Sequence, residues 1–296
     1  MAEKFTELFE MFCVDVKDEV EKLCGCEVGI REVTKNNNVK REVLYFKRDG
    51  SSPLIYLRPY FDINFVENKE TINYIAKQIY EVYEKNRSEK AKYDVENALT
   101  NWRDYIYLEV VNYKKNKEML KSLPHIRFLD LAIVFRLLLH MDEAGRASIR
   151  LNEIPHGSNL DEMYNIAKEN TLKLFGVVNR NIYDLLASMG EDVDKPIFID
   201  ASMYVLTNKT STGGANLIAI PEVLKGVCEE FDIDGCYIIP SSTNELIIIY
   251  GIDDVFVGSI YESIKFVNDS CVPGAQILSY NLYRFSAETG LVTIVK

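Results

Sequence analysis

Gly235-Cys236-Tyr237-Ile238-Ile239-Pro240-Ser241-Ser242-Thr243-Asn244-Glu245-Leu246-Ile247-Ile248-Ile249-Tyr250 is the stretch that decides the fold. Two β-branched and aromatic runs flank a short polar turn, the pattern of an antiparallel hairpin with buried strands. Upstream, Pro221 sits at a first-turn position and opens a helix with Val223, Leu224, Val227, Cys228 and Phe231 on one face. Residues 197–208, before that helix, read as a strand. Downstream, Asp253 or Asp254 caps a helix expected to turn Phe256, Ile260, Ile264, Val267 and Cys271 inward. A last hairpin, 280–286 with 291–295, turns through Ala287-Glu288-Thr289-Gly290.

The preceding third repeats this order. Residues 105–113 read as a strand, 116–123 as a short helix stopped before Pro124. Residues 126–140 form one long apolar run, and 146–151 are its hairpin partner. Ser158 and Asp161 match a capping box ahead of a helix with Leu160, Met163, Ala167 and Leu174 on one face. Strand, helix, hairpin, helix thus occurs near 105–175 and again near 197–271, which suggests a structural duplication with matching strand orders. The N-terminal part differs. Phe5, Leu8, Phe9, Phe12, Cys13, Val16, Val20 and Leu23 keep helical spacing up to Gly25. Three strand-like runs (27–33, 39–47, 53–57) with hairpin-sized separators follow, then a helix carrying Ile72, Ile75, Ala76, Ile79, Val82 and Tyr83. The expected architecture is α+β. An N-terminal α-β-β-β-α module (1–92) is followed by two β-α-β-β-α-type modules (93–176 and 177–296) with mainly antiparallel sheets. The charged stretch 84–97 marks the first boundary.

Thirty-four Lys and Arg face forty-five Asp and Glu, a net charge of −11. That balance, with no basic stripe evident along the chain, argues against nucleic acid and against an anionic membrane surface. The first residues lack a signal-type apolar core, and no run is long enough to span a bilayer, so a cytoplasmic protein is expected. Cys13, Cys228, Cys236 and Cys271 lie among apolar neighbours at core-facing spacing, and Cys24-Gly25-Cys26 is the close pair. Without a second pair or adjacent histidines it reads as neither a zinc site nor a redox site. His125, His140 and His156 are scattered, and neither metal nor cofactor is expected.

Several motifs occur in order along the chain: Val33-Thr34-Lys35-Asn36-Asn37, Pro53-Leu54-Ile55-Tyr56-Leu57, Leu123-Pro124-His125 with Asp130-Leu131-Ala132, Tyr204-Val205-Leu206-Thr207-Asn208-Lys209, and Pro240-Ser241-Ser242 with Glu245. Together they resemble the bacterial domain-of-unknown-function family numbered 5688, over nearly the whole chain. The resemblance implies an origin among anaerobic Gram-positive bacteria, often near mobile elements, and brings no biochemical activity. Relatives commonly read Pro-Ser-Ser-x-His-Glu where this chain has Asn244 in place of the histidine. If that histidine served as a general base, this protein lacks it.

Two loops hold the candidate binding residues. Ser241, Ser242, Asn244 and Glu245 project from a tight turn. Asn208 and Lys209 open a hydroxyl- and glycine-rich loop, 207–214, that could cradle an anion with backbone N–H groups but lacks P-loop order. A serine without a base is a poor nucleophile, and such residues also satisfy turn backbones. Tyr56, Tyr60 and Phe61 around Arg58 read as core or rim packing, with an exposed recognition patch as the alternative. No catalytic residue is assigned. The expected function is a non-enzymatic protein-binding or regulatory protein with an unidentified protein partner. The alternative is a hydrolase-like enzyme at the Pro240–Glu245 turn.

Overall fold

Phe9, Phe12, Cys13, Val16 and Val20 recur every three or four residues and are all buried along one face of helix α1 (Ala2–Cys24). In this computed structural model, residues 2–47, 54–64, 68–89, 95–142, 145–188, 190, 202–252 and 257–295 are described. After α1 come β1 (Val28–Thr34), β2 (Lys40–Phe46), β3 (Ile55–Tyr56) and α2 (Lys69–Glu89), with the strands antiparallel in the order β1-β2-β3. Val28, Leu44, Phe46 and Ile55 from the sheet meet Ile72, Ile75, Ala76, Ile79 and Tyr83 from α2 in one core. Each Val, Leu, Ile or Phe side chain among them, fully removed from water, contributes about 1.5–3 kcal/mol. Tyr83 stacks on Phe46 with ring centroids 3.6 Å apart, and Phe61 sits edge-on to Phe5, Phe9 and Phe12. The Arg58 guanidinium lies over the Phe5, Phe9 and Phe61 rings. Tyr60 and Phe61 pack against this core, the first of the two readings given for them. This α-β-β-β-α unit spans Met1–Tyr93.

Asp94–Lys296 forms a second compact unit. It opens with α3 (Val95–Thr100), α4 (Trp102–Tyr105), β4 (Ile106–Asn112) and α5 (Lys117–Leu120). Residues 126–140, expected as one run, are two strands, β5 (His125–Phe128) and β6 (Leu131–Asp142). They are joined by a tight turn in which Leu129 takes φ +55°. A left-handed leucine is uncommon and sequence patterning does not announce it. Next come β7 (Gly145–Arg150) and α6 (Leu160–Phe175), whose cap is Asn159 rather than Ser158. The Asn159 Oδ1 accepts the Glu162 N–H at 2.9 Å. Then follow β8 (Val178–Asn181), α7 (Ile182–Ser188), β9 (Ser202–Thr207), a 3-10 turn (Gly214–Ala219), α8 (Pro221–Phe231), β10 (Gly235–Ile239), β11 (Leu246–Tyr250), α9 (Val257–Ser270), β12 (Tyr283–Ser286) and β13 (Leu291–Ile294). The turn at 49–52, Glu191-Asp192, residues 197–201 and Asp253-Asp254 with Phe256 lie outside the described residues.

One antiparallel sheet runs β4-β6-β5, with β7 also on β6; the other runs β13-β12-β10-β11-β9-β8. The modules expected at 93–176 and 177–296 are not separate, because their sheets share one apolar core. Ile106, Leu108, Phe135 and Leu137 pack in the same cluster as Leu206, Leu217, Ile238 and Ile248. If the hairpin is taken as β6–β7, as the sequence suggested, the two halves have different strand orders. With β5–β6 as the hairpin, β4-β6-β5 and β9-β11-β10 agree, and β7 is an addition to the first half.

Helix α9 departs from its expected phase. Ile260, Ile264 and Asn268 are buried, whereas Val267 and Cys271 are exposed. The Asn268 amide donates to the Ser279 carbonyl at 2.9 Å, and this bond draws a polar residue inward in the last turn. Among the described residues no helix is long and apolar enough to cross a membrane.

Candidate functional site

Strand β9 lies between β11 and β8, and its side chains alternate between two environments. Leu206 faces the shared core. Val205 and Thr207 point the other way, beside Arg180 and Val178, their registered partners on β8. Leu185 of α7 closes one side of this face. At the end of β9 the chain enters loop 208–214, and the 240–245 turn between β10 and β11 stands next to it. Together they border a cleft of about 180 Å³ lined by Val178, Arg180, Leu185, Val205, Thr207, Asn208, Lys209, Ser211 and Glu245.

The two candidate loops are bonded to each other. The Asn244 carbonyl accepts the Thr207 hydroxyl at 2.7 Å and the Gly214 N–H at 3.0 Å. Asn244 Oδ1 accepts the Gly213 N–H at 3.1 Å, and the Thr243 carbonyl takes the Ala215 N–H. Asn208, 2% exposed, accepts from the Thr210 N–H and hydroxyl and donates to the Thr212 carbonyl. The Lys209 N–H goes to the Phe175 carbonyl and the Ser211 N–H to that of Asn208. With these amides committed, loop 207–214 has no open nest for an anion. Gly214 is required here: a Cβ would strike the Thr207 hydroxyl and come within 2.6 Å of the Asn244 carbonyl.

The six residues anticipated from sequence therefore divide. Asn208, Lys209 and Glu245 border the cleft. Ser242 and Asn244 hold the turn: the buried Ser242 hydroxyl accepts the Asn244 N–H at 3.0 Å. Ser241 donates to Glu245 Oε1 at 3.2 Å. A carboxylate is a weak base toward an aliphatic hydroxyl, and activated serines use a stronger one. His125 Nδ1 instead sits 2.9 Å from the Leu123 carbonyl, and His140 Nε2 lies 3.0 Å from Asp142. Among the described residues no group of three or more His, Cys, Asp or Glu could hold a metal.

Sequence reasoning missed Arg180 and Leu185, because β8 and α7 are short and Val178-Asn179-Arg180-Asn181 shows no apolar alternation. It also missed the charged face of the first sheet. Glu109 receives Arg150 Nε and Nη2 at 2.7 and 2.9 Å and Arg136 Nη1 at 3.3 Å. Burial pushes the Glu109 carboxyl up, but the Arg150 and Arg136 guanidinium groups outweigh it and hold the carboxyl below its usual range. Arg136 also bonds Ser148, as does the Tyr107 hydroxyl. Arg146 lies over the Tyr107 and Phe175 rings and packs against Gly213. A signal for this basic face existed. Between residues 113 and 151 there are eight Lys and Arg against four Asp and Glu. Strand alternation brings Arg136 and Arg150 to one side, as registered partners on β6 and β7.

Asp130, isolated within an apolar run, is a third polar centre. It accepts from Ser279 Oγ (2.6 Å), Asn281 Nδ2 (2.9 Å) and the Tyr283 hydroxyl (2.5 Å). Burial first, then the Asp130 charge, pushes the Tyr283 phenol far up, so it stays a donor. This set fastens the β5–β6 turn to the start of β12.

No curated protein and no solved structure matches the chain. A family model, "Family of unknown function (DUF5688)", matches residues 6–287. The match runs through both units and contains both candidate loops and the β8–β9 cleft, so the chain belongs to the DUF5688 family of unknown function.

Proposed function

We propose that the protein is a non-enzymatic binding protein that takes an acidic segment of a protein partner at the β8–β9 cleft. One observation carries this reading. Arg180, Lys209 and Glu245 collect around an apolar floor of Val178, Val205 and Leu185, and among the described residues none of the three is ion-paired with another. Exposed cations beside a small apolar recess recognise a carboxylate-bearing chain through charge and shape together. The loops behind the cleft spend their polar groups on each other, which gives a rigid wall rather than a reacting set. The mobile-element setting implied by the family resemblance fits a regulatory partner of cytoplasmic origin. Hydrolase chemistry at the Pro240–Glu245 turn has one contact in its favour, Ser241 on Glu245.

The test is affinity purification of the tagged protein from its native bacterium beside an Arg180→Glu/Lys209→Glu variant. Any partner recovered is then identified and its binding measured with purified components. A partner bound by wild type and weakened at least tenfold by the double charge reversal is the expected result. A partner held equally by both proteins overturns the cleft as its site. Turnover of ester or amide substrates that Ser241→Ala abolishes overturns the non-enzymatic reading.

A further inference from the structure

The pair Cys24 and Cys26, unused by the proposed binding site, sits at the junction of α1 and β1 in the first unit. Its sulfur atoms are 3.0 Å apart, with the Cys26 thiol directed at Cys24 Sγ. Both side chains are half-buried, so reagents reach them. The approach is built into the backbone. The Gly25 N–H caps α1 on the Glu21 carbonyl at 3.0 Å, and Gly25 then takes φ +61°, a left-handed conformation that reverses the chain and sets the two cysteines side by side. The returning chain is pinned by the Glu21 carboxylate, which accepts the Val28 N–H at 2.8 Å and also pairs with Lys17. Cys24 Sγ receives the Cys26 N–H at 3.4 Å as well as the Cys26 thiol, while its own thiol faces the Cys26 carbonyl at 3.3 Å and the Glu21 carbonyl at 3.7 Å; the two donors aimed at this sulfur stay in place when it attacks. Cys13, Cys228 and Cys236, by comparison, are shut away from reagents. Cys13 is buried, and burial pushes its thiol up to about 12; burial likewise pushes up Cys228 and Cys236.

We propose that Cys24 and Cys26 form a dithiol–disulfide exchange site whose co-substrate is a disulfide, either a low-molecular-weight one or one on another protein. The Cys24 thiolate attacks one sulfur of the disulfide R–S–S–R, forming a Cys24–S–S–R mixed disulfide and releasing one thiolate, which takes up a proton. Cys26, deprotonated in turn, attacks Cys24 Sγ and expels the second thiolate. Two protein thiols have been oxidised to one disulfide and one disulfide reduced to two thiols, with both protons passing to the products. The sulfurs need to close by about 1 Å to reach a bond of about 2.05 Å. A disulfide spanning a single glycine closes a small ring, and strained, accessible disulfides are the readily reduced ones. The site is therefore a reversible redox couple and not a structural staple.

The probe is oxidised glutathione, applied to the full chain in a Cys271→Ser background, because Cys271 is exposed and would react on its own. Mass spectrometry of the intact protein and its peptides reads the result. The expected outcome is loss of two hydrogens with no adduct, an internal Cys24–Cys26 link, and full reversal by reduced glutathione. Cys26→Ser then traps one stable glutathione adduct on Cys24. Cys24→Ser, the reciprocal variant, reacts at Cys26 at least tenfold more slowly than Cys26→Ser does at Cys24. Retention of both thiols in excess oxidised glutathione, or stable adducts on the parent protein in place of the internal link, overturns the proposal. Faster reaction of Cys24→Ser overturns the assignment of Cys24 as attacking sulfur.

Discussion

Replacing Glu109 by Gln removes the carboxylate that lies between Arg136 and Arg150, two residues already opposite each other on neighbouring strands. The side chains keep 19%, 23% and 24% of their exposure, so the network is neither open to water nor fully sealed. Breaking one side of a buried ion pair costs about 3–5 kcal/mol, and this residual exposure puts Glu109→Gln near about 3 kcal/mol. For a unit of this size that loss corresponds to a fall in Tm of roughly 6–12 °C. The assay is built into the chain. Its single tryptophan, Trp102, is 5% exposed and belongs to the second unit, so urea or thermal unfolding followed by its fluorescence reports on that unit. The pH dependence has a defined sign. The folded carboxyl is held below its unfolded value, so its contribution is present above about pH 4.3 and is lost as pH falls through the folded value. The gap between wild type and Glu109→Gln therefore narrows in acid. Replacing the whole network, as in Glu109→Met/Arg136→Met/Arg150→Leu, recovers most of the loss, because no unpaired charge remains. A Glu109→Gln protein within 1 kcal/mol of wild type at pH 7, or a gap that widens in acid, refutes the account.

Two further outcomes follow from the polar contacts. Gly214→Ala forces a methyl group into the Thr207 hydroxyl and the Asn244 carbonyl, so it is expected to destabilise the second unit by about 1–3 kcal/mol in the same fluorescence assay. An unchanged transition would mean that the two loops are not locked together. Tyr283→Phe removes the phenol that donates to Asp130 and is expected to cost about 1–3 kcal/mol, with Ser279 and Asn281 still bonding the carboxylate. A neutral result in urea titration would show that the Asp130 set does not fasten the β5–β6 turn.

Much of this fold is written in local periodicity. The apolar face of α1, the first-turn Pro221 of α8 and the β10–β11 hairpin follow from spacing that each segment carries by itself. Burying an apolar face is favourable with any suitable neighbour, so such elements can be read one at a time. The site is different. Asn208, Lys209 and Glu245 were legible as loop residues, but Arg180 belongs to a strand that exists only because β9 offers it a partner edge. In the same way Arg136, Arg150 and Glu109 lie up to 41 residues apart in the chain and meet through sheet register. Asn268 turns inward because a distant carbonyl at Ser279 awaits it.

The amino-acid order alone determined the α+β class, most elements and the family. Tertiary structure decided that the last two-thirds share one core, which loop amides are already occupied, and which charges converge. Apolar burial is non-directional and tolerates many partners, whereas a hydrogen bond or ion pair needs two particular atoms within about 3 Å, and only the folded chain sets that distance.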